Sequence, residues 1–199
     1  MSTTETTRPT RCGVDVMDAI HERRAVRAYT TRAVDADTIH KLIDAAIHAP
    51  SAVNQQPWAF VVVQDPALLK RISDRAKKLS LAHVKPGTSL WDHRAMLESP
   101  SFNVFYDAGT LIAICAAPGD WPSNEDCCLA AQNLMLAAHG LGLATCPIGF
   151  AREALNEEGL KRELGIPTDH SVVLPIIVGY PRERPEATLR RQARIMSWR

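Results

Sequence analysis

Arg23, Arg24 and Arg27 crowd the segment RRAVRAY, and Arg190, Arg191 and Arg194 form a second basic group near the C-terminal end. Guanidinium groups stay charged when partly buried and grip phosphate oxygens in pairs. A basic tail that returns to a basic first turn needs an anion between the two groups, because their repulsion costs stability. For the first group taken alone, a solvated helix end is the plain alternative, since helix C-termini favour Arg. A second stretch, HAPSAVNQQPWAFVVV (residues 48–63), places Ser51, Asn54, Gln55 and Gln56 between Pro50 and Pro57. That is more polar side chain than a helix-to-strand connection of a few residues requires. A third stretch, GLGLATCPIG, is glycine-rich but runs into a strand instead of opening a helix, so it is no dinucleotide fingerprint. No phosphate-binding GxxxxGK[ST] loop, no GxSxG elbow and no Ser/His/Asp set is present. No side chain stands out as a catalytic nucleophile or general acid. The 5 Cys and 7 His are scattered, without metal-ligand spacing, so no metal site is expected.

These residues must be carried by alternating helices and strands. Asp15 caps a helix to about Glu22, with Met17 and Ile20 on its inner side. Asp35 caps a second helix, along which Ile39, Leu42, Ile43, Ala46 and Ile47 recur with helical period. Phe60 to Gln64 reads as a buried strand, and Asp65-Pro66 starts another helix. Residues 80–105 have no clear period. Trp91, Phe102 and Phe105 there either line a pocket for a flat substrate or pack the loop, and Trp58 reads as a core residue. Strands follow at Thr110–Ala116 and Leu143–Ile148, with a polar helix over residues 151–164. The last strand, Val172 to Tyr180, contains Pro175, which predicts a bulge or a missing ladder bond. The helix that Ser123 or Asn124 caps, DCCLAAQNLMLAAHG, is apolar almost all round. It must be covered on every side, either at the centre of one subunit or by self-association. The fold class expected is α+β, an α/β sandwich: a small central mixed sheet flanked by helices, with this long buried helix at a dimer interface.

Composition narrows the partners. The chain has 199 residues, 46% hydrophobic and 23% charged, which suits one globular domain over residues 14–199. Residues 1–13 lack an apolar core for secretion and read as a disordered leader. A net charge of +1 argues against nucleic acid and anionic membranes as bulk partners. No apolar run approaches the ~20 residues that cross a bilayer. Cys115 and Cys146 lie in apolar runs, as buried free thiols of a reducing cytoplasm do.

Four blocks together resemble the FMN-dependent nitroreductase family, from about Val14 to Arg191. They are AIHERRAVRAYTTRAV, APSAVNQQPWAFVVV, LAAQNLMLAAHGLGLATCPIGF and LPIIVGYP, in matching order and spacing. The second, like the family's APSxxNxQPWxFxVV, is the most specific. The resemblance implies a homodimer with FMN at the subunit interface. It implies that Arg23 and Arg24 lie beside the phosphate and ribityl chain, and Arg27 beside the N1/O2 edge of the ring. Ala25 stands where the family usually has Ser, which removes one side-chain hydrogen bond. Pro50, Ser51, Ala52, Asn54 and Gln56 match the block that the second subunit supplies, with Ala52 replacing a frequent Ser. Pro147, Ile148 and Gly149 match the segment along the ring, where the Gly149 N–H reaches N5. Arg190, with Arg191 as the alternative, matches the basic tail residue at the phosphate.

The activity so implied is ping-pong hydride transfer. NADH or NADPH reduces FMN, leaves, and gives way to a nitroaromatic, quinone or enone. Other readings of the same fold are a dehydrogenase, an enone reductase, a dehalogenase, the flavin-consuming enzyme of cobalamin lower-ligand synthesis, and a non-catalytic flavin sensor.

Overall fold

A computed structural model describes residues 14–88, 90–119 and 123–199, so the expected leader, residues 1–13, lies outside the described residues. Local capping chemistry places the first helices where the residues predict them. Asp15 accepts from Met17 N at 2.8 Å and opens α1 (Val16–Glu22). Asp35 accepts from both Thr38 N and Thr38 Oγ1 and opens α2 (Ala36–Ile47). Asp65 accepts from Leu68 N and opens α3 (Pro66–Ala82), with Pro66 in the first turn. One expectation fails here. The residue α1 buries is Ala19, whereas Met17 and Ile20 are 52% and 47% exposed. Successive helix residues turn by about 100°, so a helix seated on Ala19 carries both larger side chains away from this chain's core.

Four strands form one sheet in the order β1-β2-β4-β3: β1 (Trp58–Val63), β2 (Thr110–Ala116), β3 (Ala144–Pro147) and β4 (Ser171–Gly179). All three ladders are antiparallel, which corrects the mixed sheet expected; the parallel pairing among the described residues is an isolated bridge between Ala25 and Thr145. β1 is also not the buried strand expected. It is an edge strand in which Val63 alone is buried. β2 is buried throughout, and its alternation feeds two cores. Leu111 joins Ile72, Phe105 and Leu155 on the side of α3 and α6 (Ala151–Leu155). Ile112 joins Leu42, Leu134 and Ile176 on the side of α2 and α5 (Ser123–Gly140). Each such side chain contributes roughly 1.5–3 kcal/mol by leaving water.

The expected irregularity near Pro175 is present as a register shift: Ile114 pairs with Leu174, but Cys115 pairs with Val172. The polar helix expected over 151–164 is broken into α6 and α7 (Glu158–Glu163). At the break, the Asn156 amide bonds both Val172 N and Val172 O at 2.9 Å, which ties the loop to β4. Part of the segment 80–105 is helical, with a 3₁₀ turn at Trp91–His93 and α4 (Arg94–Glu98). α5 buries Cys127, Ala130, Ala131, Leu134 and Ala138 against the sheet and α2, but leaves Cys128, Leu129 and Gln132 exposed. Among the described residues, no helix is long and apolar enough to cross a membrane.

Candidate functional site

The arginine segment ends α1 and runs along the β3 edge. Val26 N donates to Thr145 O at 3.1 Å, Thr30 N to Tyr180 O at 2.9 Å, and Arg182 N to Ala28 O at 3.0 Å. Tyr29 fixes its course. The phenol donates to Val26 O at 2.8 Å, and its ring lies so close to Gly179 that a Cβ there would meet Cδ1 at 2.8 Å. The glycine of VGYP is therefore required by contact with Tyr29.

Arg23, Arg24, Thr145, His139 and Arg184 border a cavity of about 290 Å³. Burial and the positive charges of Arg190 and Arg24 press the Arg23 guanidinium below its ordinary pKa. Arg24 Nη1 donates to His21 O at 2.5 Å and Arg23 O at 3.0 Å, yet its Nε is buried without a partner. Thr145 Oγ1 is likewise buried without a partner. Unpaired buried polar groups are costly, and so are crowded cations. An anion in the cavity would offset the crowded positive charge on Arg23, so these residues fit a phosphate. Glu22, at the same cavity, lies 3.7 Å from His139 Nε2.

A second cavity of about 400 Å³ opens farther along β3, bordered by Arg27, Tyr106, Pro147, Ile148, Gly149 and Phe150. Gly149 lies in the turn that follows β3, two residues past Pro147. No acceptor among the described residues meets the Gly149 N–H, and the space where its Cβ would stand is open. A flat ring can approach this backbone closely. The Arg27 guanidinium lies 5.8 Å from the Tyr106 ring centre. Burial raises the Cys146 thiol pKa, and the charges of Arg27 and Arg23 pull it back. Of the aromatics singled out in the sequence, Phe105 is in the core, Phe102 packs edge-on against Tyr106, and Trp91 pairs with Arg94.

The loop with Pro50, Ser51, Ala52, Asn54 and Gln56 is elsewhere. It joins α2 to β1, at the sheet edge opposite β3. Three strand spacings, about 14 Å, separate those edges. The loop enters β1 at Trp58, which faces Ala116, whereas β3 pairs with the Ile176–Gly179 half of β4. One chain therefore brings together Arg23, Arg24, Ala25, Arg27, Pro147, Ile148 and Gly149, but not the loop. The loop is built to hold a shape. Ala52 N donates to both carboxylate oxygens of Asp126 at 3.2 Å, Gln56 N to Ser51 Oγ at 3.0 Å, and Gln56 Nε2 to Asn54 Oδ1 at 3.1 Å. Val53, Asn54 and Gln56 have φ of 44°, 58° and 50°, in the left-handed region; for a β-branched, 71% exposed Val53 that is strain. In the tail, Arg190 and Arg191 are both exposed; Arg190 bears electrostatically on Arg23 and donates to Thr188 Oγ1 at 2.8 Å.

Sequence reasoning missed Thr145, Asp126, Tyr29 and Tyr106. A lone hydroxyl in the apolar run LATCPI was the available sign of Thr145; the others act through contacts distant in sequence.

A family model described as the nitroreductase family matches residues 20–180. The chain belongs to the nitroreductase family. Its relatives include a Methanothermobacter thermautotrophicus protein that carries the names NADH dehydrogenase and NAD(P)H nitroreductase. That protein is 35% identical over 179 residues, covering 86% of this chain and 80% of the relative. A crystal structure of a Bacteroides fragilis nitroreductase with bound FMN superposes with a TM-score of 0.74 at 27% identity, covering 92% of this chain and 96% of the other. An iodotyrosine deiodinase of Haliscomenobacter hydrossis is 27% identical over 180 residues, covering 81% of this chain and 77% of the relative. Membership in this nitroreductase family of flavoenzymes thus sets the fold and the oxidoreductase class, and spans more than one acceptor chemistry.

Proposed function

We propose that this nitroreductase-family chain is a homodimeric FMN oxidoreductase that takes hydride from NADH or NADPH. The observation that carries the reading is the basic cavity at Arg23, Arg24 and Arg184 beside β3, with the open Gly149 backbone in the turn that follows the same strand. The chemistry supplied by bound FMN is two-electron transfer at N5, from a reduced nicotinamide to a nitroaromatic, quinone or enone. Arg23, Arg24 and Arg190 hold the phosphate, with Arg191 the alternative tail cation. Arg27 offers a positive charge to the ring edge that gains negative charge on reduction. Pro147, Ile148 and Gly149 would hold the ring, with the Gly149 N–H available to N5. Ser51, Asn54 and Gln56 of a second copy reach the ring edge and ribityl chain from outside. Pro50 and Ala52 shape that loop, and Ala25 and Ala52 contribute backbone only. Donor and acceptor use the 400 Å³ cavity in turn, as a ping-pong mechanism requires.

Dimerisation is supported by the apolar surface one chain leaves open: Val16, Met17 and Ile20 on α1 and Leu129 on α5. The absorbance spectrum of the purified protein tests the cofactor. Flavin peaks are expected, and their absence after FMN addition would remove it. Stopped-flow bleaching by NADH or NADPH then tests hydride transfer; a flavin that neither nucleotide bleaches would make the protein a sensor. The relative named iodotyrosine deiodinase favours one second reading, reductive dehalogenation at the same site. Turnover of iodotyrosine against a nitroaromatic separates the two.

A further inference from the structure

We infer that Tyr106 is a positioning residue for Arg27: its ring, carried by a turn that the ring does not build, restrains the Arg27 guanidinium at the edge of the proposed flavin ring. This rests on the FMN reading above and deepens it. The backbone beside Arg27 is pinned, because Val26 N donates to Thr145 O at 3.1 Å and the Tyr29 phenol donates to Val26 O at 2.8 Å. The side chain is not. Arg27 is exposed, and among the described residues its guanidinium makes no hydrogen bond or ion pair. A free arginine side chain has several rotatable bonds, which spread its charge over many positions. The contact that restrains it is the Tyr106 ring, whose centre lies 5.8 Å from Cζ. Tyr106 and Asp107 have φ of 51° and 57°, in the left-handed region. Asp tolerates that region, but a bulky aromatic there is an outlier. The bonds that hold this turn leave the phenol ring out. Phe105 N donates to Asn103 Oδ1 at 2.9 Å, Tyr106 N to Asn103 O at 2.9 Å, and Asn103 Nδ2 to Asp107 Oδ1 at 3.0 Å. Val104 N donates to the buried Ser73 Oγ at 3.0 Å. Gly or Asn at position 106 would close the same turn at less cost. What the tyrosine adds is its ring, which meets Phe102 edge-on at 5.5 Å as well as Arg27. Lys77 Nζ donates to Ser99 O at 2.6 Å and Phe102 O at 3.0 Å, which fixes the segment behind that ring. Strain so well supported, ending on a cation that shares a cavity with Gly149, is strain with a use at the site.

The test is a double-mutant cycle of Y106L and R27A, with Y106F as the conservative control. Leucine removes the ring and leaves the backbone strain in place; should Y106L not fold, Y106N lacks the ring and suits the turn. The midpoint potential of bound FMN, read against a reference dye, gives the ratio of its affinities in the reduced and oxidised forms. In Y106L the reduced form should be held about fivefold more weakly relative to the oxidised form, the size of one cation–π contact at an exposed site. For a two-electron couple that is a potential about 20 mV more negative. Y106F should stay within about twofold of wild type, because the ring is kept. In the R27A background, Y106L should leave the ratio unchanged. An unchanged ratio in Y106L, a Y106F shift as large as that of Y106L, or the same Y106L shift with and without Arg27 would each overturn the assignment. Urea unfolding of the four flavin-free chains of the cycle should show Tyr106 and Arg27 coupled by about threefold in the unfolding constant, and strictly additive losses would overturn the assignment too. A wild type that takes up no FMN would defeat the FMN reading instead, and the urea cycle would then decide the Tyr106–Arg27 contact alone.

Discussion

The two parts of the site differ in what they lack. Along β3, Arg23, Arg24 and Thr145 are at least half-buried, Arg24 Nε and Thr145 Oγ1 lack partners, and Arg190 and Arg24 crowd the Arg23 charge. Across the sheet, the loop at residues 50–57 is largely exposed, and its polar groups bond one another or Asp126 while three residues sit at positive φ. The first is a basic cavity. The second is a preformed shape, tied to its own chain at Asp126 and largely exposed beyond that. Strain kept in an exposed loop has a use only if something outside the chain fits it. The difference teaches that one chain builds two unlike regions, one partly buried and basic, the other exposed and held in a strained shape.

Perturbing one half without the other sharpens that contrast. The largest effect is expected from Arg23→Gln. FMN affinity should fall by about 100-fold, the loss of a charge-assisted pair. The flavin-free variant should nonetheless melt higher than wild type, because burial and two neighbouring cations disfavour the Arg23 charge in the fold. Isothermal titration and a melt of the same sample check both signs; a drop in both would make Arg23 a structural residue. Gly179→Ala should come next. The Cβ meets the Tyr29 ring, so the variant should lose about 1–3 kcal/mol in urea unfolding and loosen the arginine segment. Asp126→Ala should do the converse. It frees Ala52 N and should cost about 1–2 kcal/mol, leaving phosphate affinity intact while flavin dissociates faster. If Asp126→Ala weakens inorganic phosphate binding as much as flavin binding, the two halves are not separate.

A pH effect comes from the core between them. Burial pushes the Cys115 thiol up to about 11 and the Cys127 thiol up to about 12. An unfolded chain releases those protons from an ordinary value of 9.0, so the folded state binds more protons above that pH. Stability should therefore fall as pH rises from about 9 to about 11, and less so in Cys127→Ala. Urea midpoints at both pH values decide it, and equal pH slopes would contradict it.

What was legible in the residues was local. Asp15, Asp35 and Asp65 announce their helices because a cap acts within three residues. Pro175 announces its irregularity because proline alters its own ladder. Arg23, Arg24 and Gly149 stood out as candidates through resemblance, not through spacing. Met17 and Ile20 were misplaced because amphipathic spacing says which residues share a face, not whether this chain covers it. The edge position of β1 was hidden for the same reason: FVVV is apolar whether a helix, a strand or another subunit lies against it. Asp126 and Tyr29 escaped because Ala52 and Gly179 are far from them in sequence, and the mixed sheet expected gave way to antiparallel ladders because strand direction depends on order in space.

The central claim is that each site takes its arginines from one copy and its loop from the other. Co-expression of two flavin-dead variants tests it directly: Arg24→Ala, and a chain with Ser51, Asn54 and Gln56 all changed to Ala. Each alone should purify colourless. Mixed dimers should carry one doubly damaged and one intact site, so roughly a quarter of wild-type flavin content should return if the subunits pair at random in a two-fold dimer. Flavin content that stays at zero in isolated mixed dimers would show that a single chain builds the whole site, and would contradict the account.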